Sequence, residues 1–442
     1  MVASLFDSPA HALLFPTGAA GRLFSDTATV RALLLVEAAL AKAQGALEII
    51  PETSAAAIQR AAREVQIDAS ALRDSIGRNG VIIPGLLEAF RIEMQAPEHA
   101  QYLHWGATSQ DILDTALMLR LRQALALAKE DLRTLLRALA AQAEEHAALP
   151  MMARTYGQHA VPTTWGAVIG GWGQPLADKL AELETVCADS LWVSLSGAAG
   201  TASALGAQAP QLRKAMAEDL GLQDPGRSWH GDRTPVLRIA DWLSSLCVPF
   251  AAMAETLISL TGSDISEVSI GPVGGSSTMP QKQNPVQPAA LLALCRHCQN
   301  LRAGLAPTAA PMHQRDGAAW FGEWLTLPIV VLSAMSALQT AVALANGLAP
   351  RPERMLEPLK TGLGLYHAEA LSFALVEPMT RPEAQAECKE LCAQAVATQT
   401  PLPDLARTAH PGLPSDLFGF EQHLGEAPAE ARSFAVRVRE MV

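Results

Sequence analysis

The run Gly274-Gly275-Ser276-Ser277-Thr278-Met279-Pro280-Gln281-Lys282-Gln283-Asn284-Pro285 concentrates more reactive side chains than any other part of the chain. Paired glycines permit positive φ and let backbone N–H groups approach a ligand. Ser276 and Ser277 add hydroxyls, Lys282 an ammonium and Asn284 an amide. Pro285 then opens a helical pattern, and a helix N-terminus favours an anion. This ensemble suits a carboxylate held beside a poised serine. A plain Gly/Ser hinge would not need Lys and Asn at fixed places before a helix start. Other Gly-rich readings fail. A Walker phosphate loop needs Gly-Lys-Ser/Thr, and Lys282 follows Gln281. The Ser-x-x-Lys of penicillin-binding enzymes would need serine where Met279 stands. The glycine-rich continuation of amidases is missing.

Two other segments set small polar donors before helices. His104-Trp105-Gly106-Ala107-Thr108-Ser109-Gln110-Asp111 precedes the longest helical pattern. Thr108 and Ser109 can bind an anion there, or Ser109 or Asp111 can simply cap the helix. Thr155-Tyr156-Gly157-Gln158-His159-Ala160-Val161-Pro162 is the other. Three donor-rich helix starts exceed what capping requires. His104 and His159 serve chemistry or orient their loops. Arg315, with His313, can meet a further carboxylate, or else pairs with Asp316. Cys295 and Cys298 flank His297, but no second ligand pair has zinc spacing. They read as buried thiols, as do Cys388 and Cys392. Trp320 and Trp324, one turn apart, read as core.

The elements that must hold these groups are helices. The chain has 442 residues, 49% hydrophobic and 17% charged, with only 5% aromatic. Ala and Leu dominate the apolar set, and both favour helix. Apolar residues Leu117, Leu121, Leu125, Ala128, Leu132, Leu135, Leu139 and Ala143 repeat every three or four positions. They predict one long helix from about Asp111 until Pro150. Further long helices are predicted over 162–190, 234–261, 285–306 and 318–345. Pro162 would occupy the first turn of one of them and Pro175 a kink. Five long helices make a bundle. The fold class is therefore all-α, with a helical domain over 1–110, a long five-helix bundle over 111–350 and a small helical domain over 351–442. No strand-type alternation persists.

The formal charge of −11 argues against nucleic-acid binding. The charge-free stretch Leu325–Pro350 is long enough to raise a membrane span, but its Ser, Thr, Gln and Asn residues fit an interior helix better. Six scattered cysteines and an N-terminus without a basic, apolar leader point to the cytoplasm.

Together the three polar segments resemble the fumarase/aspartase superfamily. Its signature Gly-Ser-Ser-x-Met-x-x-Lys-x-Asn-Pro is matched from Gly275 to Pro285, and its His-x-Gly-x-Thr-Ser-x-x-Asp and Thr-x-x-Gln segments are matched in order. The resemblance implies a homotetramer whose active sites each draw on three subunits, with no metal or organic cofactor. It implies proton transfer next to a carboxylate, with anti addition or loss of a leaving group through an aci-carboxylate. By this resemblance Ser276 is the base, and Lys282 and Asn284 hold the carboxylate that becomes the aci-dianion. His159 stands with Ser276 and Lys282 among the catalytic residues. His104, Thr108, Ser109, Gln158, Ser277 and Arg315 join Asn284 in contacting a tricarboxylate substrate.

Adenylosuccinate lyases carry Thr-His, the amine's proton donor, where this chain has Thr155-Tyr156. Their phosphate-binding helix is replaced by the aromatic stretch Trp320-Phe321-Gly322-Glu323-Trp324. Both departures resemble the lactonising branch, the 3-carboxy-cis,cis-muconate cycloisomerases of protocatechuate breakdown. So do Gln158-His159-Ala160 and Trp229-His230. Gln281 and Gln283 depart from the basic residues that often flank the lysine in that branch. The other readings are an adenylosuccinate- or argininosuccinate-type lyase releasing fumarate, and a catalytically silent structural member.

Overall fold

The structure is a computed structural model and describes residues 4–271, 274–275, 278–377 and 379–442. It is all-α in class, as expected. Helices α1 (Asp26–Ala46), α2 (Glu52–Glu64) and α3 (Ile83–Met94) come first. Ser25 caps α1, its Oγ accepting from Ala28 N at 3.2 Å. Helix α4 (Ser109–Glu145) has 37 residues and is about 55 Å long at 1.5 Å per residue. The strands β1 (Pro150–Thr155) and β2 (Gln158–Thr164) follow. Helices α5 (Trp165–Ala188), α6 (Ala209–Leu220) and α7 (Thr234–Leu260) lead to strand β3 (Val268–Ile270). Next come α8 (Val286–Leu305), α9 (Gly317–Gly347) and strand β4 (Leu348–Pro350). Shorter helices α10 (Pro352–Thr361), α11 (Arg381–Thr398), α12 (Leu402–Ala409) and α13 (Ala427–Met441) close the chain.

Two expectations are corrected. The chain does contain strands, in two antiparallel pairs, β1 with β2 and β3 with β4. Pro162 does not start a helix. It lies in β2 opposite Met152, and α5 begins three residues later, where Thr164 Oγ1 accepts from Ala167 N at 3.2 Å. The strands escaped the apolar pattern because β3 and β4 are only three residues long and a register shift interrupts the first hairpin between Met152 and Arg154.

Two compact units emerge, one of residues 1–131, 179–248 and 293–340, the other of residues 132–178, 249–292 and 341–442. Helices α4, α5, α7, α8 and α9 each contribute a stretch to both. In the first unit Leu33, Leu34 and Leu40 of α1, Leu121 of α4, Leu243 and Leu246 of α7 and Val330 and Leu338 of α9 are buried. In the second, Leu135 and Leu139 of α4, Trp165 and Ile169 of α5, Phe250 and Leu257 of α7 and Phe434 of α13 are buried. Burying each such side chain contributes about 1.5–3 kcal/mol. The helices near the C-terminus close their own small core, which includes Leu371, Leu375, Cys388, Leu391 and Leu402. Helices α7 and α9 are long and apolar enough to cross a membrane by length and composition. The apolar residues of α9 that include Val330, Val331, Leu338 and Leu344 are instead buried within the protein.

Candidate active site

In the first unit the site is organised around the N-terminus of α4. Thr108 precedes the helix, and its N–H donates to Asp111 Oδ2 at 3.0 Å. Asp111 is wholly buried and is a hub rather than a simple cap. Its Oδ1 accepts from Ser196 N at 2.7 Å and from His230 Nε2 at 2.8 Å. Its Oδ2 also accepts from Gly197 N at 3.0 Å. One carboxylate thus joins the helix start to the 194–197 segment and to His230. A buried carboxylate is tolerable only when its oxygens are satisfied in this way.

Gln110, next to Asp111, and Asp114, one turn further, extend the network inward. Arg233 donates to both oxygens of Asp114, at 2.8 and 3.0 Å, and to both oxygens of Glu323, at 2.8 and 2.7 Å. It also lies over the Trp229 ring, 4.9 Å from the centroid. Burial raises the Glu323 carboxyl above its ordinary range, while Arg233 pulls it back. Burial works against the Arg233 charge, but the two carboxylates outweigh it and hold the guanidinium more firmly protonated than usual.

Arg315 lies at the exposed end of this network. Its Nε donates to Gln110 Oε1 at 2.8 Å, and its Nη2 lies 3.2 Å from Ala198 O and 3.5 Å from Thr108 Oγ1. It does not pair with Asp316, which instead accepts from the N–H groups of Met312, Ala318 and Ala319 at the start of α9. Beneath Arg315 is a cavity of about 10 Å³, lined by Gln110, His230, Arg233 and Trp320 among others. That volume is enough for about one water.

His104 belongs to the same segment and has φ of 65°. Its Nδ1 lies 2.7 Å from Glu37 Oε1, a carboxylate with no exposure. Burial opposes the imidazolium, yet Glu37 outweighs it, Asp111 adds to the effect and Arg91 subtracts. His104 therefore titrates above the ordinary histidine value.

In the second unit Gln158 and His159 sit at the tip of the β1–β2 hairpin. The turn is Tyr156-Gly157, with φ of 52° and 74°. Two residues at positive φ are what a two-residue hairpin turn requires, and glycine supplies the second without strain. Tyr156, Gln158 and His159 are all exposed. At the base of the hairpin Arg154 donates to both oxygens of Glu267, at 3.0 and 2.5 Å. Glu267 immediately precedes β3, so this pair ties the hairpin to the strand that leads into the signature loop.

That loop closes on itself. Gly274 N donates to Asn284 O at 3.0 Å and Asn284 N to Gly274 O at 2.8 Å. At this neck a Cβ on Gly274 would come 2.4 Å from Val286 Cγ2, so a larger residue would have to displace the Val286 side chain. Asn284 Nδ2 lies 3.4 Å from Gly275 O. Lys282 is exposed and makes no ion pair among the described residues. Ser276 and Ser277 lie outside the described residues. Pro285, expected to open the helix, stands one residue before α8, which begins at Val286.

The structure thus gathers His104, Thr108, Ser109 and Arg315 around one helix start. It places Gln158 and His159 on one hairpin tip, and Lys282 and Asn284 in one loop. Sequence reasoning missed the groups behind the first set: Glu37, Gln110, Asp114 and Arg233. A signal existed. Gln110, Asp111, Asp114 and Thr115 recur at helical spacing and are all buried, at the start of a helix whose inward face is otherwise apolar.

A family described as lyase matches residues 20–299. The chain belongs to the fumarase/aspartase family of lyases. This family member is 35% identical over 398 residues to a 3-carboxy-cis,cis-muconate cycloisomerase of Pseudomonas aeruginosa, covering 88% of this chain and 87% of that one. A crystal structure of the 3-carboxy-cis,cis-muconate lactonizing enzyme from Pseudomonas putida superposes with a TM-score of 0.91 at 30% identity, over 98% of this chain and 100% of the other. A fumarate lyase structure from Mesorhizobium gives 0.87 at 31% identity, over 94% and 97%. This lyase is an enzyme, as the relatives named for their activities are.

Proposed function

We propose that this lyase closes 3-carboxy-cis,cis-muconate to 4-carboxymuconolactone in protocatechuate breakdown, in the cytoplasm. The substrate's own carboxylate adds anti to one carbon of a conjugated double bond. The displaced electron pair spreads onto a neighbouring carboxylate as an aci-dianion, which Lys282 and Asn284 hold. A proton then reaches the adjacent carbon from Ser276. In reverse the Ser276 alkoxide removes that proton. The alkoxide must be favoured by nearby donors and a cation, and Lys282, free of any ion pair among the described residues, is available for this. Arg315, His104, Thr108 and Ser109 meet other carboxylate oxygens, and Gln158, His159 and Ser277 complete the set.

The observation that carries this reading is Tyr156 at the hairpin tip. A carboxylate is a stable anion at neutral pH and leaves or attacks without a strong general acid. A phenol in place of the imidazole of amine-releasing lyases fits such a group. The cycloisomerases among the relatives support the same choice. Assembly as a homotetramer is part of the proposal. Gln158 and His159 project from the chain, and a second copy seated over them would give them a substrate to touch.

The competing reading, elimination that releases fumarate, is favoured by the likeness to a fumarate lyase structure. One experiment separates them. The purified enzyme is given 3-carboxymuconate while the conjugated-diene absorbance is followed, beside a fumarate-release assay on succinyl-amine substrates. Loss of the diene without fumarate release supports lactonisation. Fumarate release with the diene untouched overturns it.

A further inference from the structure

We propose that Gln110 is a positioning residue that fixes the direction in which Arg315 offers its guanidinium to a substrate carboxylate. The inference rests on the lactonising reading only for the identity of that substrate.

Gln110 is 2% exposed, and its surroundings allow its amide one orientation. Nε2 donates to Asp114 Oδ2 and to the His230 carbonyl, each at 3.1 Å. Both partners are acceptors only. A flipped amide would set an oxygen against two oxygens. Oε1 must therefore face outward, where Arg315 Nε donates to it at 2.8 Å. Asp114 cannot turn away, because Arg233 holds both its oxygens and is itself clamped by Glu323. Orientation thus passes from Glu323 through Arg233, Asp114 and Gln110 to Arg315.

Arg315 is an exposed arginine, and such a side chain loses rotamer freedom when it binds a ligand. A guanidinium is planar, so fixing Nε on Gln110 and Nη2 against Ala198 O fixes its plane. Nη1 has no hydrogen-bond partner among the described residues and remains for a carboxylate. A glutamate at position 110 would set its charge against Asp114. A methionine keeps the length and offers no acceptor for Nε.

The test is a double-mutant cycle on KM for 3-carboxymuconate, with Gln110→Met, Arg315→Met and the pair. Gln110→Met raises KM about tenfold, the scale of one charge-assisted hydrogen bond. In the Arg315→Met background the same change alters KM by less than about twofold, since nothing remains to position. Equal effects in both backgrounds would overturn the inference. Arg315→Lys lies on the surface and does not threaten folding. It keeps the charge but loses the Nε donor, and raises KM about as much as Gln110→Met. A wild-type KM for Arg315→Lys also overturns the inference. A crystal structure of the Gln110→Met enzyme supplies a readout free of any substrate. Arg315 displaced from Ala198 O supports positioning, and Arg315 unmoved sinks it. A wild-type enzyme that fails to consume 3-carboxymuconate defeats the functional reading alone, leaving the crystallographic test in force.

Discussion

A serine hydroxyl and a phenol carry the two sharpest claims at the level of single residues. Ser276→Ala removes the proposed proton carrier while leaving the loop's glycines in place. Its kcat is expected to fall at least about 100-fold, the lower end of what general acid–base transfer supplies. Tyr156→Phe is expected to cost at most about tenfold, one ordinary hydrogen bond. Tyr156 is fully exposed on its turn within the chain, so losing the hydroxyl does not disturb the packing of that chain. If both variants are equally damaged in a steady-state assay, Tyr156 is itself a proton donor and the preference for a carboxylate leaving group fails. His104 gives a pH test. Its raised titration favours the folded, charged pair with Glu37 below the ordinary histidine value, and that contribution is lost as pH rises through the raised value. Glu37→Gln removes the main cause of the shift. The pH at which KM begins to climb on the alkaline side is then expected to move to lower pH, and an unchanged KM–pH profile would count against a charged His104 in binding. Ser276, Lys282 and Asn284 stood out in the sequence as a candidate site because they lie within nine residues of each other at fixed spacing. The Gln110–Arg315 contact spans 205 residues, and no local pattern announces it.

Helices were legible at the level of elements because apolar side chains recur at their period, and α4 and α7 begin within two residues of the expected places. The β1–β2 hairpin was not. Its turn has glycine at the second position, but the first is Tyr156 at φ 52°, a conformation that bulky residues seldom adopt. Capping at the start of α4 was anticipated, yet the depth of Asp111 was not, since its partners at 194–197 and 230 come from segments with no helical pattern. Asp111→Asn keeps the volume but sets an N–H group against N–H groups that now donate to a carboxylate. With a buried donor costing about 1–3 kcal/mol when unmet, the variant is expected to lose at least about 2 kcal/mol. Chemical denaturation followed by circular dichroism measures this, and an unshifted midpoint would show that the hub does not stabilise the fold.

At the level of the whole molecule, the proposal of sites shared among subunits makes activity a property of the assembly. Two inactive variants, one altered at Thr108 and one at Ser276, are expected to regain part of the activity when mixed, dissociated and reassembled, because some sites then receive both intact segments. Light scattering on the active species checks the same point, and an active monomer would refute it. The exposed hairpin tip carries a consequence for time as well as for place. A hairpin and its helices form within one chain, so the recovery of helical signal after dilution from denaturant is first order and independent of concentration. Gln158 and His159 would reach a substrate only after chains collide. The return of turnover should then lag behind the return of helix, and the lag should shorten as the protein is made more concentrated.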